Sequence, residues 1–198
     1  RGSVLAQALG DALGAPFEFA PVGAVEKRTG EKWIGELYSF QGEIGPHGVW
    51  RDETPAGTGT DDVRYNYLFM ELAVELGRMP TDREVARRLL DVYERPGDFF
   101  SDYDELARGQ FEMWEGVSRG CLGEESPRYP GVSPAALATR SIGLNYPTMA
   151  GLLVLPSVGL LFAGDPEAAY RAAYRAAFFD VGYAREATAL LAAGLDCP

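Results

Sequence analysis

Three consecutive side chains that carry oxygen atoms, those of Thr60, Asp61 and Asp62, stand directly before a long apolar run. Gly57 and Gly59 precede them, so a flexible approach leads to a threonine at the position of a helix N-cap. Acidic residues in a first turn complement the helix dipole and contribute about 0.3–1 kcal/mol each. One acid would suffice for that purpose, and two adjacent carboxylates repel each other. Because Mg²⁺ and Ca²⁺ prefer carboxylate and hydroxyl oxygens, the pattern has two interpretations, a capped helix start and a divalent-cation site.

A second carboxylate of interest lies in the segment GDALGAPFEF, residues 10–19. Asp11 interrupts an otherwise apolar helical pattern, and Glu18 stands between Phe17 and Phe19 just beyond a Gly-Ala-Pro helix stop. A carboxyl group that loses hydration beside aromatic rings is suited to proton transfer, since desolvation disfavours its charged form. The alternative is a surface glutamate on a loop, with the aromatic rings packed beneath it.

Composition narrows the possible functions. The chain has 198 residues and a formal net charge of −11, which argues against nucleic acid as the main partner. His47 is the only histidine, so a multi-histidine zinc site is excluded. Cys121 and Cys197 form no C-x-x-C motif, and a reducing, cytoplasmic setting is expected. The most apolar run, residues 149–163, is too short for a comfortable membrane span, and no membrane partner is expected.

The candidate site residues are expected to lie on or beside helices. Apolar residues recur at helical spacing along the chain, and no segment shows the alternation that predicts a strand. The sequence predicts an all-α domain of about seven or eight helices, with a long loop region over residues 15–59 that holds at most a short element near residues 33–40. Thr81 and Glu84 predict a capping box at the start of one helix. The predicted helices cover about residues 3–14, 61–77, 82–93, 103–117, a segment from 134, 149–163 with a break at Pro156, a segment from 166, and 183–193.

Together, the GDALGAPFEF segment, the TDD sequence that opens a helix after a Gly-rich loop, and a later apolar helix with an asparagine resemble the ADP-ribosylglycohydrolase family. This family includes the enzyme that reactivates dinitrogenase reductase. The order and rough spacing of the three segments agree over most of the chain. The resemblance implies an all-α orthogonal bundle with two Mg²⁺ ions in a cleft, where Mn²⁺ is a possible substitute. It assigns Thr60, Asp61 and Asp62 as metal ligands, with both aspartates in the catalytic site, and Glu18 as the acid–base or gating residue.

The implied reaction is a Mg²⁺-dependent hydrolysis of the glycosidic bond at the anomeric carbon of ribose, which releases ADP-ribose from an acceptor side chain. The expected partner is an ADP-ribosylated protein or a small molecule that contains ADP-ribose. The ions would orient ribose hydroxyls and a water molecule, and a carboxylate would handle the proton. The residues leave open which linkage is cleaved.

One segment departs from the family pattern. The family's usual Asn-Gly-x-x-Met-Arg segment is NYPTMAG here, in which Asn145 and Met149 match but Tyr146 and Ala150 replace glycine and arginine. Asp180 occupies a position that is often histidine. The resemblance therefore predicts substrate-binding roles for Asn145, Met149 and Asp180 in a divergent branch of the family.

A further departure concerns the second half of the metal site. No D-x-D-T/S motif follows residue 62, although the family draws its remaining metal ligands from such a motif. We therefore expect residues 1–198 to form a single domain whose C-terminal part is missing, with weak metal affinity and uncertain activity. One alternative is a non-catalytic structural or ligand-binding relative that keeps the scaffold, as lens crystallins do. Another is a helical interaction module that docks through residues 98–116, against which stands a plain amphipathic helix with Phe111 and Trp114 in the core.

Overall fold

The computed structural model describes residues 2–18, 20–39, 55–99, 105–144 and 149–195. These residues form helices joined by turns and contain no strand, which confirms the all-α class. None of the described helices combines the length and the apolar character that a membrane span requires. The α-helices in these ranges are α1 Gly2–Gly14, α2 Ala24–Thr29, α3 Asp61–Leu76, α4 Asp82–Glu94, α5 Glu105–Leu122, α6 Pro134–Leu144, α7 Gly151–Val154, α8 Val158–Leu161, α9 Pro166–Ala176 and α10 Tyr183–Leu195.

The described residues contain ten α-helices, more than the seven or eight expected. Helix α2 is too short for a periodic pattern to reveal it, and it lies between Gly23 and Gly30, whose φ angles of 86° and 79° favour glycine. The predicted break at Pro156 is confirmed, since the apolar run forms α7 and α8 on either side of it. The short element expected near residues 33–40 is wrong for residues 33–39, which form neither helix nor strand.

Helix α5 continues about five residues beyond its predicted end at 117. The sequence from 119 is rich in glycine and proline, and this composition suggested a loop. Gly120 nevertheless lies within the helix, where it faces the backbone of α6. A Cβ atom added at Gly120 would lie 2.8 Å from the Cα atom of Ala138, so the missing side chain allows the two helices to approach closely.

Local capping fixes where two other helices begin. The predicted capping box at α4 is confirmed: the backbone N–H of Thr81 donates to Glu84 Oε2 at 2.8 Å, and that of Glu84 donates to Thr81 Oγ1 at 3.3 Å. At α9, the side chain of Asp165 accepts a hydrogen bond from the backbone of Ala168 at 3.0 Å, and Pro166 follows the cap.

The chain forms two compact units, residues 1–64 and 65–198. The first unit contains α1, a 3₁₀ turn over Ala15–Phe17, α2 and the first turn of α3. Its loop after α2 is fixed by an aromatic contact, since the rings of Phe17 and Tyr38 meet edge to face at 5.5 Å. The guanidinium of Arg28 lies over both rings, at 5.3 Å and 5.6 Å from their centroids. The single domain expected from the sequence stays a prediction.

The second unit is built around an aromatic core. Phe111 and Trp114 on α5 contact each other at 5.3 Å between ring centroids, and each contacts Tyr65 on α3. Phe179 extends this cluster on the other side of Trp114. Phe111 and Trp114 are 0% and 2% exposed, which agrees with a plain amphipathic helix and opposes a docking role for these two side chains. Small residues let α9 approach α10 closely, namely Ala169, Ala172, Ala173 and Ala176, all of which are buried.

Candidate active site

Thr60 caps helix α3, as the sequence predicts. Its hydroxyl oxygen accepts a hydrogen bond from the backbone N–H of Asp62 at 3.3 Å. Its carbonyl oxygen accepts from the backbone N–H of Arg64 at 3.2 Å, the first hydrogen bond of the helix. Only 4% of Thr60 is exposed. Asp61 and Asp62 therefore occupy the first turn, where the backbone of a rigid element fixes their positions.

Asp11 of α1 holds Thr60 through both of its carboxylate oxygens. Oδ2 accepts from the backbone N–H of Thr60 at 2.7 Å, and Oδ1 accepts from the Thr60 hydroxyl at 2.7 Å. Gly59 makes room for this contact, since a Cβ atom there would lie 3.2 Å from Asp11 Oδ2. Gln7, one turn earlier on α1, donates from Nε2 to the carbonyl oxygen of Asp62 at 3.3 Å. Two side chains of α1 thus hold the start of α3.

The first turn of α3 carries negative charge that is partly removed from water. Burial, which is the largest cause, and the negative charges of Asp61, Asp11 and Glu18 together raise the pKa of Asp62 to about 7. Burial is also the main cause that raises the pKa of Asp61, and the charge of Asp11 adds to it. Hydrogen bonds to the Asp61 carboxylate from its own backbone and from the Thr60 side chain, and the positive charge of Arg64, act against this rise in pKa. In the absence of a cation, this site therefore takes up protons more readily than an exposed pair of aspartates would.

Glu18 lies at the end of the 3₁₀ turn that follows α1. Its backbone N–H donates to the carbonyl oxygen of Ala15 at 3.1 Å, and its side chain is exposed. This exposure favours a surface glutamate over a carboxylate desolvated by its aromatic neighbours. Because the charge of Glu18 acts on Asp62, the two carboxylates lie within electrostatic range of each other in the first unit. Phe19 lies outside the described residues.

A family model described as ADP-ribosylglycohydrolase matches residues 1–196. The chain belongs to the ADP-ribosylglycohydrolase family. Comparisons with curated proteins and with solved structures found no match. Family membership makes the chain a glycohydrolase of the ADP-ribosyl type, and it implies ADP-ribosylated substrates in general.

In this member of the family, the remaining predicted site residues belong to the second unit or lie outside the described residues. Met149 is 41% exposed. Asp180 is only 2% exposed, and its Oδ2 atom accepts a hydrogen bond from the backbone N–H of Gly151 at 2.7 Å, at the start of α7. Asn145 and His47 lie outside the described residues. The substrate-binding roles of Asn145, Met149 and Asp180 stay predictions.

The side chains of Thr60, Asp61 and Asp62 suit a hard cation by type. They provide one hydroxyl and two carboxylates, and oxygen is the donor that Mg²⁺ prefers. Among the described residues, no group of three or more His, Cys, Asp or Glu side chains is arranged to hold a metal ion. Proteins commonly bind Mg²⁺ through one or two carboxylates, with water completing the coordination shell. The first turn of α3 therefore fits a partly hydrated ion and not a cage built only from protein ligands.

No role is predicted for Asp11 from the sequence, although the sequence contains a signal for one. A carboxylate inside an otherwise apolar helix needs a partner, because a buried charge is costly unless hydrogen bonds satisfy it. In the structure this partner is Thr60, which lies 49 residues away in the chain. No local pattern in the sequence could have connected Asp11 with Thr60.

Proposed function

We propose that this family member hydrolyses the glycosidic bond between ADP-ribose and an acceptor side chain, and that it uses Mg²⁺. Membership of the family supports the ADP-ribosyl type of glycosidic hydrolysis. One observation supports the metal-dependent form: burial and three neighbouring carboxylates raise the pKa of Asp62 to about 7. A pair of aspartates held in this way is stabilised when a cation neutralises its charge.

Thr60, Asp61 and Asp62 would hold the ion. The N-cap and the first helical turn fix their backbones, and Asp11 and Gln7 hold that turn from α1. When bound, Mg²⁺ supplies a positive charge that orients ribose hydroxyls and a water molecule. The protein contributes a rigid arrangement of oxygen atoms, which avoids the entropic cost of ordering flexible ligands.

Glu18 is the proposed acid–base residue. Its carboxylate is exposed, so both substrate and water can reach it, and its charge already acts on Asp62. As the oxygen of a water molecule forms a bond to the anomeric carbon, Glu18 accepts a proton from that water. The bond between the anomeric carbon and the acceptor atom breaks, the acceptor leaves with the bonding electrons, and it takes up a proton.

Release of free ADP-ribose tests this proposal. The purified protein is incubated with peptides that carry ADP-ribose on arginine or on serine, in Mg²⁺ or in EDTA. We expect release from one of the two peptides in Mg²⁺ and none in EDTA. Glu18→Gln should lower kcat by about 100-fold or more, the usual size of an acid–base contribution. Joint replacement of Asp61 and Asp62 by Asn should abolish the rise in melting temperature that Mg²⁺ causes in the wild-type protein.

Two matched variants control for charge. Glu31→Gln changes an exposed acid of the first unit, and Asp82→Asn changes an exposed acid in the first turn of α4. Both should keep the activity and the Mg²⁺ response of the wild-type protein. If the wild type releases no ADP-ribose from either peptide, or releases it equally in EDTA, the proposal is wrong. Binding of ADP-ribose without turnover would favour the non-catalytic, ligand-binding alternative.

A further inference from the structure

We infer that Asp11 is a positioning residue of the cation site, which it serves by fixing the orientation of the Thr60 hydroxyl. This inference rests on the proposed function, in which Thr60 is one of the ligands. Each of the two carboxylate oxygens of Asp11 accepts a hydrogen bond from Thr60. For this reason Asp11 is not assigned as a ligand of the ion.

The inference is based on the hydrogen bonds of the Thr60 hydroxyl group. A hydroxyl group has one proton to donate and two lone pairs to accept with. The proton of Thr60 is donated to Asp11 Oδ1 at 2.7 Å, and the backbone N–H of Asp62 uses one lone pair at 3.3 Å. One lone pair is left for a cation. Without Asp11, the proton would be left with the other carboxylate that the Thr60 side chain hydrogen-bonds, that of Asp61, where it would compete with the cation for a ligand oxygen.

The backbone contact of Asp11 adds a second constraint. Asp11 Oδ2 accepts from the Thr60 N–H at 2.7 Å, so the carboxylate holds the main chain and the side chain of the same residue. A bidentate hydrogen bond to a charged group fixes geometry as well as adding stability. Thr60 is buried, so water cannot easily take over either contact. A ligand held by its backbone and by its proton keeps one orientation before the cation arrives.

Asp11 could influence a cation in two other ways, which the experiment must separate. Its negative charge also acts on Asp61 and Asp62, so it attracts a cation through space whatever the orientation of Thr60. It also connects α1 to α3, so its loss could simply loosen the first unit. A positioning role differs from both, because it depends on the hydroxyl group of Thr60.

Mn²⁺ is the probe, since the six-line electron paramagnetic resonance signal of the free ion falls when the ion binds. Affinities are measured for the wild type, Asp11→Asn, Thr60→Val and the double variant. Loss of a group that orients a metal ligand costs about 10–100-fold in affinity, and we expect a loss of this size for Asp11→Asn. In the Thr60→Val background, the same Asp11 change should have little further effect, because the two residues act as one unit.

The outcomes separate this inference from the proposed function. If the wild type binds Mn²⁺ and Asp11→Asn binds it equally well, or if the two changes are additive, Asp11 is not a positioning residue, and the proposed metal site stands. If the wild type binds no Mn²⁺, both the positioning role of Asp11 and the proposed metal site are wrong. Excess Mn²⁺ should restore the kcat of Asp11→Asn but not that of Glu18→Gln, since only the first change acts through the affinity for the ion.

Two further variants keep the test valid. Asp82→Asn removes the same charge from a different helix start and should leave Mn²⁺ affinity unchanged. If circular dichroism shows that Asp11→Asn does not fold, Asp11→Glu is measured in its place. It keeps the charge but shifts the carboxylate by one methylene group, so the inference expects weaker Mn²⁺ binding, and unchanged binding overturns it.

Discussion

Replacing Gly120 by alanine sets two known effects against each other. Gly120 lies inside α5, where alanine is the better helix former by about 0.8–1.0 kcal/mol. It also faces the backbone of α6. A Cβ atom there would lie 2.8 Å from both the Cα atom of Ala138 and the carbonyl carbon of Leu137, and still nearer to the backbone nitrogen of Ala138. The sign of the change in stability shows which effect is larger.

We expect the steric clash with α6 to outweigh the gain in helix preference. Carbon atoms attract best at about 3.5–4.0 Å, so the added methyl group lies deep in the repulsive range. The obstructing atoms belong to a backbone, and they can retreat only if α6 moves away from α5. Overpacking of this kind costs about 1–3 kcal/mol, and its upper part applies where backbone blocks the methyl group. After the gain in helix preference is subtracted, we expect a net loss of about 1–2 kcal/mol in the free energy of unfolding.

Gly109→Ala is the matched control, because it makes the same change in the same helix. Among the residues that the structure describes, no atom outside the backbone of α5 itself and the two neighbours of Gly109 in the chain lies within 4 Å of a Cβ atom built at Gly109, so the helix preference is the main effect there. We expect it to raise the free energy of unfolding by up to about 1 kcal/mol, while Gly120→Ala lowers it. Urea unfolding followed by circular dichroism measures both, and the melting temperature should move by about 2–4 °C per kcal/mol. If Gly120→Ala is as stable as the wild type, the described packing of α5 on α6 is wrong.

Three further changes have defined outcomes. In EDTA, the folded protein keeps a proton on Asp62 up to a pKa of about 7, whereas an unfolded aspartate loses it near pH 3.9, so stability should fall as the pH rises between these values. Asp62→Asn should flatten that part of the curve of melting temperature against pH, and an unchanged slope would contradict the raised pKa. Thr81→Ala removes the cap of α4 and should cost about 1 kcal/mol in urea unfolding, and no cost would argue against the capping box. Phe111→Ala leaves a cavity in the aromatic core and should cost about 3–5 kcal/mol, whereas a cost below 1 kcal/mol would restore a surface role for this side chain.

Much of the helical order could be predicted from the sequence, because the deciding interactions are local. The capping box joins Thr81 to Glu84, three residues apart, and a proline marks the break between α7 and α8. The Thr-Asp-Asp sequence identified the start of α3 and its cap correctly for the same reason. Each of these signals depends only on neighbours in the chain.

The predictions that proved wrong depend on contacts between residues that are far apart in the chain, and the sequence does not show these contacts. Glycine-rich composition suggested an early end for α5, because nothing nearby in the chain shows that Gly120 faces the backbone of Ala138. The same limit applies to the candidate site. The sequence proposed Thr60 and its two aspartates, but their electrostatic environment depends on how α1 lies against the first turn of α3. The role of Asp11 becomes clear only in the structure, which shows that its carboxylate accepts hydrogen bonds from Thr60.

The hydrogen bonds between Asp11 and Thr60 close a loop of 49 residues. The entropic cost of closing a flexible loop grows only with the logarithm of its length, so doubling the loop costs only about 0.6 kcal/mol more. Insertions and deletions between the two residues are therefore cheap as long as both ends can still meet. Evolution can therefore change the part of this segment that follows Glu18 while the oxygen atoms at the start of α3 stay in place. The length of the segment after Glu18 can thus vary without altering the proposed cation site.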